Sequence, residues 1–196
     1  MFLLGLTGSI GMGKSTTAAL FAEEGCDVWD ADAAVHRLYA KDGLAVPAIQ
    51  SMFPDVIVDG AVSRSILKDI IGQDPTVLKR IEQIVHPLVG QDRAAFINKA
   101  QSEIVVLDIP LLFETGGQDR VDAVACVFIE DDKQQDRVMA RGTMTLEQFQ
   151  TIRAIQLPAA EKCARADYVI ETDTIEHARA QVQSVIADIQ TRLENA

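Results

Sequence analysis

The sequence predicts an α/β domain with three layers, in which helices cover both faces of a five-stranded parallel sheet. Three observations predict it. Short, nearly continuous apolar runs alternate with longer stretches of helical periodicity, the pattern of βαβ units whose strands are buried on both faces. The first run leads straight into a Gly-rich loop ending in Lys-Ser, and a helical pattern follows at once. A chain of 196 residues with 48% hydrophobic side chains is enough for one core with attachments rather than two independent domains.

Strands are expected at Phe2–Thr7, Asp27–Asp30, Ile104–Ile109, Ala123–Ile129 and Tyr168–Glu171, and helices at Lys14–Glu24, Asp132–Arg141 and Ile175–Leu193. Two stretches break the alternation. Between the second and third strands lie about seventy residues of helical pattern. Pro47, Pro54, Asp59-Gly60, Asp74-Pro75 and His86-Pro87 divide them into about four short helices with no strand. This reads as a helical insert over about 33–102, covering the ends of the strands. A second helical segment, about 143–166, carries Arg153, Lys162 and Arg165 and reads as a lid. The core is then about 1–32, 103–142 and 167–196, all within one domain.

A net charge of −11 argues against the basic footprint that nucleic-acid binding requires, and no nucleic-acid partner is expected. No run approaches the roughly 18 apolar residues of a membrane span, and strand-like sequence from Phe2 argues against a removable leader. Cys26, Cys126 and Cys163 are far apart in sequence, odd in number and lack metal-type spacing, so free thiols and a reducing cytoplasm are expected. His36 and His177 have no companions at zinc-ligand spacing.

Gly8-Ser9-Ile10-Gly11-Met12-Gly13-Lys14-Ser15 is a complete Gly-x-x-x-x-Gly-Lys-Ser loop. Glycines let backbone N–H groups curl around phosphate oxygens, Lys14 can reach the β and γ oxygens, and the Ser15 hydroxyl can ligate Mg²⁺. The helix that follows adds its N-terminal amides and the positive end of its dipole. These residues imply a nucleoside triphosphate site. Because the chain is acidic and the ligand anionic, the cations that hold it must form local clusters.

Asp30-Ala31-Asp32 closes the second strand, and in open α/β sheets ligands gather at the carboxyl ends of strands. Asp32 is a candidate base for a hydroxyl acceptor, while either aspartate could instead cap the next helix. Asp108 ends the third strand, where such proteins often hold Mg²⁺; the alternative is a carboxylate bonded to local amides. Arg137 and Arg141, four residues apart on one helix face, can clamp phosphate or pair with Glu130, Asp131, Asp132 and Asp136. His86, read alone, is a structural histidine.

Together these residues resemble the dephospho-CoA kinase family over essentially the whole chain. The resemblance rests on Leu6-Thr7 through Thr16, Val28-Trp29-Asp30-Ala31-Asp32, His86-Pro87 and Ile109-Pro110-Leu111-Leu112-Phe113-Glu114. It continues with Arg137 and Arg141, Arg153 with Gln156, and Ala166-Asp167-Tyr168-Val169-Ile170. It implies a P-loop kinase fold and transfer of the ATP γ-phosphate to the ribose 3′-hydroxyl of dephospho-CoA, the final step of coenzyme A biosynthesis. It further implies ATP with Mg²⁺ on Gly8–Thr16, Ser15 and Asp108, Asp32 as base, and His86, Leu111, Phe113 and Glu114 at the acceptor site. Arg141, with Arg137, would belong to the lid, in a cytoplasmic monomer or small homo-oligomer. Thr172 stands near the place where the family usually has Asn, and Gly142 where Asp often follows the arginine. The rival readings are a P-loop kinase for another small acceptor and a GTP-binding switch. The second lacks an Asn-Lys-x-Asp string, since Asn98-Lys99 is followed by Ala100-Gln101.

Overall fold

The computed structural model describes residues 1–195. In chain order the elements are β1 (Phe2–Thr7), α1 (Lys14–Glu23), β2 (Asp27–Asp30), α2 (Ala31–Tyr39), α3 (Val46–Met52), β3 (Ile57–Val58), β4 (Ala61–Val62), α4 (Arg64–Gln73) and α5 (Thr76–Lys99). Then come β5 (Ile104–Asp108), β6 (Ala123–Phe128), α6 (Asp131–Ala140), α7 (Leu146–Ile155), α8 (Ala159–Arg165), β7 (Tyr168–Glu171) and α9 (Ile175–Glu194). The five expected core strands are all present, within one residue of their expected ends.

The described residues divide into two compact units, 1–29 with 100–195, and 30–99. In the first, the sheet order is β2-β5-β1-β6-β7, and β1 runs parallel to both β5 and β6. Alternation along β1 assigns its two faces. Leu4 and Leu6 enter a core with Ala18, Leu20 and Phe21 of α1 and Val182, Val185 and Ile189 of α9. Gly5 points the other way, where a Cβ would lie 2.8 Å from the Leu112 side chain. On that face Leu112, Phe113 and Val124 form a smaller cluster. Both faces are therefore covered, which is why these strands read as continuous apolar runs.

The second unit packs around Leu38, Ile49, Val56, Val62, Leu67, Val77, Ile81 and Val85. Two expectations fail here. The stretch is not free of strand: Asp59-Gly60, between α3 and α4, turns the small antiparallel hairpin β3–β4, with φ of 50° at Asp59 and 82° at Gly60. Positive φ at both central residues is the geometry that makes Asp-Gly a hairpin turn, and the two-residue strands were too short to show alternation. His86-Pro87 does not end a helix either: Pro87 lies inside the 24-residue α5. A proline there removes one backbone hydrogen bond and costs about 3 kcal/mol. Flanking apolar side chains Ile81, Ile84, Val85, Leu88 and Val89 all pack on the unit's core and offset that cost. This unit runs from Asp30 to Lys99.

Candidate active site

The Gly-rich loop leaves the C-terminal end of β1 and runs into α1, as its sequence demands. Gly11 and Gly13 have φ of 79° and 88°, conformations costly for any side chain. At Gly11 a Cβ would also stand 2.4 Å from the Val138 side chain. The crest of the loop is held from both sides. Gln134, buried on α6, donates its amide to the Ile10 carbonyl at 2.7 Å, and the Ile10 N–H donates to Gln156 Oε1 at 3.2 Å. Lys14 forms an ion pair with Asp108, whose side chain is 2% exposed at the end of β5. Ser15 is exposed in the first turn of α1. Lysine and aspartate are thus assembled beside the loop.

Arg137 and Arg141 line one cleft of about 190 Å³ together with Gly13, Thr16, Thr17 and the 172–175 turn. Their roles divide. Arg137 is anchored, donating to the Thr172 carbonyl and, at 3.1 Å, to Thr172 Oγ1. It does not pair with the acidic residues around it; Asp131 pairs with Arg153 instead, at 2.7 Å. Arg141 is exposed and, among the described residues, has no hydrogen bond or ion pair. Gly142, at φ 63°, ends the helical turn just after it. Thr172 donates to the Met12 carbonyl at 2.8 Å and so ties the phosphate loop to the start of α9. Nothing in its sequence context announced that bond, because its partner lies 160 residues away.

The two aspartates at the β2 end also separate. Asp30 is the N-cap of α2, its Oδ1 accepting from Ala33 N at 2.9 Å. Asp32 lies in the first turn, exposed, on the wall of an open cavity of about 550 Å³. That cavity's wall holds Tyr39 of α2 and Arg64 and Lys68 of α4, none of which the sequence reading singled out. The available signal was the i,i+4 spacing of the two cations. His86 is exposed on α5 and is not part of this wall.

Leu111 is exposed, whereas Phe113 is buried in the cluster with Leu112 and Val124. Glu114 accepts from the Leu157 N–H at 2.9 Å and from Lys162, a fully buried side chain on α8, at 2.8 Å. Lys162 also donates to the Pro110 carbonyl at 3.2 Å, so α8 is fastened to the segment that follows β5. Burial alone would raise the Glu114 carboxyl, but the Lys162 ammonium and the Leu157 N–H outweigh it and hold the group below the usual carboxylate range. A carboxyl depressed in the folded state stabilises above its unfolded pKa, and that contribution is lost as pH falls through the lower folded value. Glu114→Gln should therefore cost about 1–3 kcal/mol near neutrality. Thermal melts across pH should show the difference from wild type vanishing in acid; a constant difference would refute the pairing.

Sulfurs of Cys126 on β6 and Cys163 on α8, distant in sequence, lie 3.8 Å apart as free thiols, and burial pushes both pKa values up. Among the described residues no cluster of three or more His, Cys, Asp or Glu could hold a metal ion, and no helix is long and apolar enough to cross a membrane.

A phosphate loop at the carboxyl edge of a five-stranded parallel sheet, with its lysine beside a strand-end aspartate, defines the class: a P-loop phosphotransferase. The sequence model of dephospho-CoA kinase matches residues 2–177, and the chain belongs to the dephospho-CoA kinase family. A dephospho-CoA kinase of Ruegeria pomeroyi is 64% identical over 189 residues, 96% of each chain. The crystal structure of TT1252 from Thermus thermophilus is 32% identical and superposes with a TM-score of 0.85 over 95% of this chain and 97% of that one. The dephospho-CoA kinase from Campylobacter jejuni, 22% identical and aligned over 95% of this chain and 96% of its own, shares the fold with a TM-score of 0.70.

Proposed function

We propose that this enzyme transfers the γ-phosphate of ATP to the ribose 3′-hydroxyl of dephospho-CoA, giving CoA and ADP in the cytoplasm. The carrying observation is the complete phosphate loop in a chain matched to the dephospho-CoA kinase family from residue 2 to 177. The 3′-oxygen attacks the γ-phosphorus, the bond to the β–γ bridging oxygen breaks, and ADP leaves with that electron pair. Asp32 accepts the hydroxyl proton; its support is an exposed carboxylate that the neighbouring cap, Asp30, leaves uncommitted. Loop amides from Gly8 to Thr16 cradle the phosphates, and Lys14 exchanges Asp108 for the β and γ oxygens. Arg141, uncommitted in the same cleft as Thr16, closes over the transferring group.

Mg²⁺ suits the donors available, the Ser15 hydroxyl and the Asp108 carboxylate, which are hard oxygens of the kind it takes alongside phosphate and water. When bound it neutralises charge on the β and γ phosphates. Leu111 and His86, both exposed, are each assigned to the acceptor, whereas Phe113 is buried with Leu112 and Val124 and Glu114 is bound to Lys162.

The test is ADP release with dephospho-CoA, AMP and simple hydroxy acids as acceptors, with the product's new phosphate located by mass spectrometry. Turnover dependent on dephospho-CoA, with the phosphate on the 3′-oxygen, is expected. Preference for another acceptor would overturn the reading.

A further inference from the structure

Among the described residues, Lys162 on α8 is the only lysine or arginine that the fold buries completely, and the proposed chemistry leaves it unused. Burying an ammonium is costly unless it is paired, and even a well-made buried pair adds little net stability over apolar packing. Its contacts therefore matter for where they set the chain. The Lys162 ammonium lies 2.8 Å from Glu114 Oε1 and donates to the Pro110 carbonyl at 3.2 Å. That carbonyl also accepts from Thr7 Oγ1 at 3.0 Å, and Thr7 is the buried last residue of β1, directly before Gly8. The same Glu114 oxygen accepts the Leu157 N–H at 2.9 Å. Leu157 is the joint between α7 and α8: Gln156 ends α7 in extended backbone and Pro158 starts α8. A residue before proline is pushed out of the helical region, so the Leu157 N–H takes its partner from outside both helices. One residue back, the Gln156 side chain accepts the Ile10 N–H at 3.2 Å. Two short paths thus run from Lys162 to the phosphate loop. One passes through Pro110 to Thr7 at its root, the other through Glu114, Leu157 and Gln156 to Ile10 at its crest.

We infer that Glu114 and Lys162 are positioning residues for nucleotide binding: their ion pair sets the α7–α8 joint so that Gln156 holds the crest of the phosphate loop in its binding shape. This rests on the nucleotide site of the function proposed above, whichever acceptor is used. A glutamine side chain is flexible, so its hold on Ile10 is only as definite as the backbone it springs from. Glu114 fixes that backbone by accepting the N–H of the next residue, and Lys162 fixes the carboxylate through a charge-assisted hydrogen bond. A phosphate cradle works through N–H groups that are already aimed, so a displaced crest binds a triphosphate more weakly. The pair acts at one remove, through Gln156, without touching the ligand.

Calorimetric titration of the full chain with the Mg²⁺ complex of β,γ-imido-ATP tests this without an acceptor. Q156A and E114A should each weaken binding about tenfold. E114A/Q156A should be about as weak as Q156A alone, because the two residues act along one path. A multiplied loss of about a hundredfold in that double variant, or unchanged affinity in either single one, overturns the inference. E114Q/K162M separates position from charge. Its amide oxygen still accepts the Leu157 N–H, methionine fills the space of the lysine stem, and no charge is left unpaired. It should bind within about threefold of the wild type, and adding Q156A to it should again cost about tenfold. A tenfold loss in E114Q/K162M at an unchanged melting temperature overturns the inference, roughly 1.4 kcal/mol being then owed to charge rather than placement. If E114A melts early, this second set decides. A wild-type chain that does not bind the analogue refutes the nucleotide site of the proposed function instead. One that binds it but does not phosphorylate dephospho-CoA refutes only the acceptor, and the variants still decide the inference.

Discussion

Asp32→Asn should fold like the wild type and lose about 10²–10⁴-fold in turnover, with the KM for ATP nearly unchanged. The structure makes this variant unusually clean. Asp30 already caps α2 through Ala33 N, so the cap survives the substitution. Asp32 is exposed and supports no hydrogen bond among the described residues, so amidation removes a proton acceptor and little else. Circular dichroism melts and single-turnover assays would make the case together. Near-normal turnover would remove Asp32 from the base role and leave the cavity beside it as a binding site alone.

Arg141→Ala should reduce kcat/KM for ATP by about 10²–10³-fold while the KM for dephospho-CoA stays within about threefold. The contrast with Arg137 supports this assignment. Arg137 has its guanidinium committed to the Thr172 carbonyl and hydroxyl, which fixes the floor of the cleft, whereas Arg141 projects uncommitted into it. A lysine at 141 should restore only part of the loss, because the fork that grips two phosphate oxygens is gone. Unchanged ATP kinetics in the alanine variant would make Arg141 an ordinary surface residue.

The strands and the phosphate loop were legible because their signals are local. A buried parallel strand is an apolar run, and the loop is a string of eight consecutive residues. The insert was legible as helical but not in its joints. Pro87 reads as a stop until the packing of Ile81, Ile84, Val85, Leu88 and Val89 on one side of α5 is known, and tertiary contacts then override it. In the candidate site, Lys14, Asp32 and Arg141 could be named from type and position. What could not be read was which candidates the fold had already engaged. Asp30 became a cap, Arg137 an anchor, Phe113 a core residue and Glu114 the partner of Lys162. Each of these outcomes except the Asp30 cap depends on a group tens of residues away, and a linear sequence does not display such distances.

The two glutamines on Ile10 carry a consequence for the energetics of nucleotide capture. Gln134 and Gln156 occupy both the carbonyl and the amide of that peptide before any ligand arrives. Conformational entropy lost in ordering the crest is thus lost at folding, not at the encounter with ATP, which leaves more of the phosphate contacts to appear as affinity. Gln156 follows directly on α7, so the Ile10 amide can exchange its hydrogen with water only when that side chain swings away. One backbone proton at the tip of the phosphate loop is therefore a gauge of how often the α7–α8 segment opens.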